Sequence, residues 1–382
     1  MRKAVKWAFY FSLSLSLLAV VLLWTTDSTY LIKGIKSTYL RGAKSAEIDD
    51  HIYFDLRQIE ASSSPQDLYV HSELNKEPLT TELRNMLEVT RSVGFTVLVN
   101  DSLVQEHYWG GYNEKSQTNT FSASKTIVTL LAEKAIEQGF LKGWNQKVME
   151  LIPELKGTYA GDLELKHLST MTAGLSWKEH YKSPFTLTAK TYYSDHLEEV
   201  MLSEVEVSER PGEVYNYQSG STQFLAICVI RATGMSLSEY ASKEFWQPMG
   251  AQEPALWQLD HPDGMEIGYC CFNTNARDFA RFGLLALHKG NWRGNQILDS
   301  SFFELATKGY KSDHYGYSYW IDQESHGTPV YYMRGREGQY VIVIPEHSIV
   351  ITRLGFRYST EGKPHKDCFH LYVNEVLKMY GK

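Results

Sequence analysis

The chain has 382 residues, 43% of them hydrophobic and 22% charged, with 38 Lys plus Arg against 45 Asp plus Glu and a formal net charge of −7. These values describe an ordinary globular protein with ample material for a core, and they exclude a nucleic-acid binder, whose contact face would be basic. The 25 tyrosines and 9 tryptophans suggest a cleft lined by amphipathic rings.

The first residues, MRKAVKWAFYFSLSLSLLAVVLLWTTDS, open with Arg2, Lys3 and Lys6 and then carry no charge from Trp7 to Trp24. As a helix that run spans roughly 27 Å, close to the ~30 Å hydrocarbon core of a bilayer. No small-residue cleavage pattern follows it. The reading is therefore a signal anchor and transmembrane helix over 1–27, with the remainder on the periplasmic side of a bacterial inner membrane. If the segment is cleaved, the remainder is secreted. Residues 28–65 read as a juxtamembrane stalk ending in the loop-like ASSSPQD, and 66–382 as the folded domain.

Within that domain GFTVLVNDSLVQEHYWGGY predicts two strands joined by a turn at Asn100-Asp101. The next segment, TNTFSASKTIVTLLAEKAIEQGF, predicts a buried helix that is apolar around most of its surface and ended by Gly139. Residues from about 140 to 300 are rich in helix and turn signals. The last third returns to strands (YGYSYWI, PVYYMRG, GQYVIVIP, SIVITRLGF) before a closing amphipathic helix, CFHLYVNEVLKMY. The expected class is α+β: one antiparallel sheet built from about 85–120 and 310–382, flanked by helices, with a helical insertion between.

Ser122-Ala123-Ser124-Lys125 puts a hydroxyl and an amine on one helical face at i, i+3. Burial favours the neutral amine, which can then act as a base toward the serine and make it a nucleophile. Backbone N–H groups at the helix start can face an oxyanion. The plainer reading makes Ser122 a cap and Lys125 a snorkelling side chain. Further on, PGEVYNYQSG places Tyr217 before an apolar helix, where a phenol can relay a proton, with Tyr215 one turn away as a rival. In YYMRGREGQYVIVIP, Gly335 and Gly338 allow close backbone approach, and the amide of Arg336 is a candidate oxyanion donor. Four cysteines (Cys228, Cys270, Cys271, Cys368) with no C-x-x-C or Cys/His ladder argue against a zinc site and for mostly free, buried thiols.

In this order and spacing, the S-x-x-K, HLSTMTAGL, PGEVYNYQSG, TNARDFARFG and GREGQY stretches resemble the penicillin-recognising serine hydrolase superfamily. The match is to its class C β-lactamase-like branch, and among its members 6-aminohexanoate-dimer hydrolase and related esterases are nearest in motif. The resemblance covers about 85–380. It implies a β-lactamase/transpeptidase-like fold with Ser122 as acyl-enzyme nucleophile, Lys125 as its base partner and Tyr217 as the second-motif tyrosine. Tyr181 would contact the substrate amide, and Ser219 stands in the substrate-binding set with Gly335, Arg336 and Gly338. Where β-lactamases have Y-x-N and K-T-G, this chain has Tyr217 to Ser219 and Met333-Arg334-Gly335. The missing lysine argues against strong β-lactamase activity, with Arg334 or Arg336 as partial substitutes.

The expected function is thus a serine hydrolase acting on a small-molecule or peptide amide or ester, without metal or organic cofactor. The alternative is an inactive protein that uses the same cleft to hold peptidoglycan peptides or a partner. His167, Arg277 and Asp278 read as structural, and Trp177 as a residue that could line the cleft.

Overall fold

The computed structural model describes residues 2–26, 28–43, 45–181, 183–357 and 365–381. A helix α1 (Arg2–Thr25) and a short helix α2 (Tyr30–Ser37) precede strands β1 (Leu56–Ile59) and β2 (Tyr69–Val70) and helix α3 (Thr81–Val89). The hairpin β3 (Ser92–Val99) and β4 (Ser102–Tyr108) turns through Asn100 and Asp101, both at positive φ (47° and 66°). This is the conformation that a two-residue hairpin turn demands. Strand β5 (Thr118–Asn119) leads into α4 (Ser124–Glu137).

The helical middle contributes α5 (Leu165–Ser169), α6 (Leu187–Tyr193), α7 (Leu197–Glu204), α8 (Ser219–Thr233) and α9 (Leu237–Ala241). Strands β6 (Ala255–Gln258) and β7 (Phe272–Thr274), helix α10 (Ala276–Leu287), the small hairpin β8 (Asn291–Trp292) and β9 (Asn295–Gln296), and α11 (Ser300–Ala306) follow. The chain then lays down β10 (Trp320–Asp322), β11 (Val330–Gly335), β12 (Gln339–Ile344) and β13 (Ile349–Gly355) and ends in α12 (His365–Tyr380).

The described strands of the main sheet run β10-β11-β12-β13-β3-β4-β2, antiparallel throughout except for the β2–β4 pair. The strands from the two ends of the domain meet at β13–β3, as the strand pattern predicts. Strands β12 and β13 are buried on both faces, which is why QYVIVI and IVITRLG read as continuous β-branched runs. Their alternation still sorts side chains between two cores. Val341, Val343 and Val350 face the helical lobe with α4 and α10, while Tyr340, Ile342 and Ile351 face α3 and α12. Gly283 lets α10 lie directly on the sheet, since a Cβ there would come within 2.5 Å of Val350. Arg277 and Asp278 are structural, as expected: Arg277 forks onto Glu106, and Asp278 takes the Arg281 guanidinium at 2.7 Å.

Among the described residues no helix is long and apolar enough to cross a membrane. This overturns the expected N-terminal transmembrane helix, and with it the single-pass inner-membrane placement. The segment read as a stalk takes part in the body of the fold: β1 pairs antiparallel with β6 in a second sheet of order β1-β6-β7-β5, and α2 lies against α6.

Candidate active site

Pairing of β5 with β7 holds two segments of the site together. The Thr120 amide donates to the Phe272 carbonyl (2.9 Å), and the Phe121 amide to Asn119 Oδ1 (2.8 Å). Phe121 sits at φ 48°, a left-handed geometry that non-glycine residues seldom adopt. It opens a tight turn, Phe121–Ala123, that presents Ser122 immediately before α4.

Lys125 lies one helical turn on, 1% exposed. Its Nζ is 2.9 Å from Ser122 Oγ and donates to the Tyr269 carbonyl at 2.8 Å. Burial brings this amine down to about 7, against an opposing pull from the Glu179 carboxylate. It therefore has the environment of a base rather than of a snorkelling cation.

Tyr217 closes the group, its ring centre 5.2 Å from Lys125 Nζ. Burial pushes its phenol well above the usual tyrosine range, and a hydrogen bond with Ser122 and the nearby charge of Arg334 oppose that shift. Its ring is wedged between Tyr315 (6.0 Å) and Trp320 (5.5 Å), and Arg334 lies over Trp320 at 4.9 Å. Tyr215, the rival, packs on the outer side against Tyr315. Gln218 fixes the start of α8 by donating to the Leu175 and Trp177 carbonyls (2.8 and 2.7 Å).

A hub that sequence reasoning missed sits behind these groups. Glu179 accepts from Trp177 Nε1 (2.7 Å), the Ser219 amide (2.8 Å), Ser219 Oγ (2.7 Å) and the Tyr181 phenol. Two residues in the predicted substrate-binding set are thus tied to one carboxylate, and Trp177 lies buried beneath them. The available signal was an acidic residue inside WKEHYKSPF, already singled out for Tyr181.

Gly335 ends β11 where that strand abuts the turn carrying Ser122, since a Cβ there would strike the Thr120 carbonyl oxygen at 1.9 Å. Gly338 takes φ 79° in the turn into β12, and its carbonyl accepts from Arg353 Nη1 at 2.9 Å. Arg336 contributes more than its amide. Its guanidinium lies 5.7 Å from the Tyr181 ring centre and donates to Ser45 Oγ at 2.9 Å.

Of these residues, Ser45, Ser122, Tyr181, Ser219 and Arg336 border a cleft of about 880 Å³. Ser122, Ser219, Tyr269 and Cys270 line its floor. Its opposite wall comes from the N-terminal segment, with Leu31, Ile35 and Tyr39 among the lining residues. The cysteine expectation holds for Cys228, which is free and buried, and Cys368 is likewise buried, whereas Cys270 and Cys271 are joined by a disulfide beside the Lys125 acceptor. Adjacent cysteines have no spacing signature that sequence could weigh, and the backbone turn at Cys271 (φ 74°) is what brings their sulfurs together.

This fold, with a serine–lysine pair at the start of a buried helix and a tyrosine on the next motif, defines the class. The Beta-lactamase family profile matches residues 81–366, and the chain belongs to that family. It is 25% identical over 245 residues to the 6-aminohexanoate-dimer hydrolase of Paenarthrobacter ureafaciens, an alignment covering 60% of this chain and 60% of that protein. Among solved structures, a Bacillus anthracis protein named as a candidate 6-aminohexanoate-dimer hydrolase superposes with a TM-score of 0.76 at 24% identity, covering 90% of this chain and 94% of the other. A family VIII carboxylesterase superposes at 0.59 and 14% identity, covering 81% and 98%.

Proposed function

We propose that the protein is a serine hydrolase that cleaves an amide or ester through an acyl-enzyme on Ser122, with Lys125 and Tyr217 moving the protons. The observation that carries this reading is a buried amine, brought down to about 7, at 2.9 Å from a cleft-lining hydroxyl. Ser122 Oγ attacks the carbonyl carbon while its proton passes to Lys125 Nζ. Amides of the Ser122 turn and of Arg336 receive the oxyanion. The carbon–oxygen or carbon–nitrogen bond then breaks. The leaving group takes a proton from the Tyr217 phenol, which is restored by the Lys125 ammonium. Water attacks the acyl carbon, gives its proton back along the same path, and releases the acid with Ser122 reprotonated.

The cleft wall of Leu31, Ile35, Tyr39, Tyr193 and Phe185 favours an apolar acyl or amine portion. The absence of a K-T-G lysine argues for an ester or open-chain amide over a β-lactam. A panel of p-nitrophenyl esters, linear 6-aminohexanoate dimer, D-amino-acid amides and nitrocefin, run on the wild type and on Ser122→Ala, tests the proposal. Turnover and fluorophosphonate labelling should be lost together in the variant. Equal turnover by the two proteins would overturn the reading.

A further inference from the structure

Far from the Ser122 motif in sequence, β10 ends at Asp322, and a short turn brings His326 against α12, where it meets His370. His326 Nε2 and His370 Nδ1 are 3.0 Å apart, and each lies 3.8 Å from Asp322 Oδ2. Two imidazole nitrogens and one carboxylate oxygen therefore form a small triangle, whereas a lone hydrogen bond would need only two of them. A tetrahedral zinc ion with bonds of about 2.0–2.1 Å would show ligand-to-ligand edges of about 3.4 Å, a value that the three observed distances bracket.

The surroundings orient the same atoms. Asp322 Oδ1 is occupied by the Ser325 and Glu324 amides (2.9 and 3.3 Å), so the turn itself aims Oδ2 at the two rings. His326 Nδ1 faces Asn374 Oδ1 at 2.7 Å, which places the proton on Nδ1 and the lone pair on Nε2. That is the outer-layer arrangement that fixes a ligating histidine. His370 and Asn374 are i, i+4 on α12, so one helix face supplies both a ligand and an orienting group. The His326 side chain is fully buried, its ring edge-on to Phe369, while Asp322 and His370 are 16% and 28% exposed. The open side leaves room for a water as fourth ligand.

We propose that Asp322, His326 and His370 form a zinc site outside the catalytic cleft. It would clip the edge strand β10 and its following turn to the C-terminal helix. Strand β10 also carries Trp320, which packs on Tyr217, so the clip steadies the far wall behind the catalytic phenol. Its first effect is on stability, because metal bound only by the folded state favours that state. Asp322 and His326 are four residues apart, but His370 lies in no short-spaced motif with either. The two histidines are 44 residues apart in sequence, and the fold alone brings them together.

The test strips the full-length protein with EDTA and titrates zinc by calorimetry, with cobalt(II) as a spectroscopic substitute. The expected result is saturable binding of one ion, four-coordinate cobalt d–d bands and a thermal midpoint raised by several degrees at saturating zinc. Affinity should fall about 10-fold in Asn374→Ala, and binding should be lost in His326→Gln and in His370→Gln. Ester turnover in both histidine variants should stay within about twofold of wild type, far short of the ~10²-fold or larger loss expected of a proton-transfer residue. The cobalt spectrum of the wild type stands by itself should either variant fold poorly. No saturable binding by the wild type, a six-coordinate cobalt spectrum, or wild-type affinity in both histidine variants would overturn the site.

Discussion

Ser122 on the floor of the cleft and Lys125 and Tyr217 beside it are held by close, mutually dependent contacts. Lys125 bonds both the serine and the Tyr269 carbonyl, and α4 around it is buried from Ser124 to Ala132. The roof is attached more lightly. Helix α2 meets α6 through Gly34 on the Tyr193 ring, and meets the segments flanking α6 through the Lys33–Asp195 pair at 2.8 Å and through Tyr30 on the Pro184 carbonyl at 3.0 Å. Ile35, Tyr39 and Leu40 are 46%, 55% and 75% exposed. Floor and roof touch through Arg336 and Ser45. The difference separates two jobs. Proton transfer needs fixed distances and a dry amine, whereas choosing an acyl group needs only apolar area that can adjust. Substitutions on the floor should therefore change rate, and those on the roof should change substrate preference.

The sharpest break is Ser122→Ala, expected to lower turnover by on the order of 10⁶-fold in a stopped or continuous ester assay. Tryptophan-fluorescence titration should show ligand affinity little changed.

Lys125→Met should cost about 10³-fold in turnover and yet raise stability. The native amine, brought down to about 7, releases its proton well below the unfolded lysine value of 10.5. Between those values the unfolded chain binds more protons, so wild-type stability rises with pH across that window. The variant's advantage should be greatest below pH 7, roughly 1–3 kcal/mol by denaturant titration, and should shrink toward pH 10. Wild-type kcat/KM should climb through about pH 7 as the amine becomes neutral. A flat profile there would break the assignment of the base.

Glu179→Gln should be milder in rate and more telling in pH dependence. Its carboxylate holds the Lys125 proton on, so the variant's rising limb should move to lower pH. The Ser219 and Tyr181 contacts lose a charged acceptor, at a cost of about 1–3 kcal/mol in stability.

The smallest effect is expected on the roof. Each added methylene of a p-nitrophenyl ester should raise kcat/KM about fourfold while it finds apolar wall, since burial of a CH₂ is worth ~0.8 kcal/mol. Ile35→Ser should flatten that series and leave the acetate ester unchanged. Equal loss on all esters would mean that the roof supports catalysis directly.

What was legible in the chain was local. The i, i+3 serine and lysine, the Asn100-Asp101 turn and the strand runs of β12 and β13 all follow from spacing and residue type, and Tyr217 was singled out by motif order. Glu179 was not legible, because its four donors come from Trp177, Tyr181 and the start of α8, which no periodicity joins. The roof was hidden for a similar reason: a short amphipathic helix between an apolar run and a Ser-rich loop looks like a linker until its partner α6 is present. The apolar run itself misled, for length and hydropathy suggested a membrane span that the described helices do not bear out.

By itself the sequence determined which groups could react, since a hydroxyl and an amine one helical turn apart meet wherever that helix forms. Only the tertiary structure decided that the amine would be dry, that a carboxylate would lie behind it and that an N-terminal helix would wall the cleft. Desolvation and long-range electrostatics depend on what packs around a group, and that neighbourhood is drawn from parts of the chain that share no local pattern.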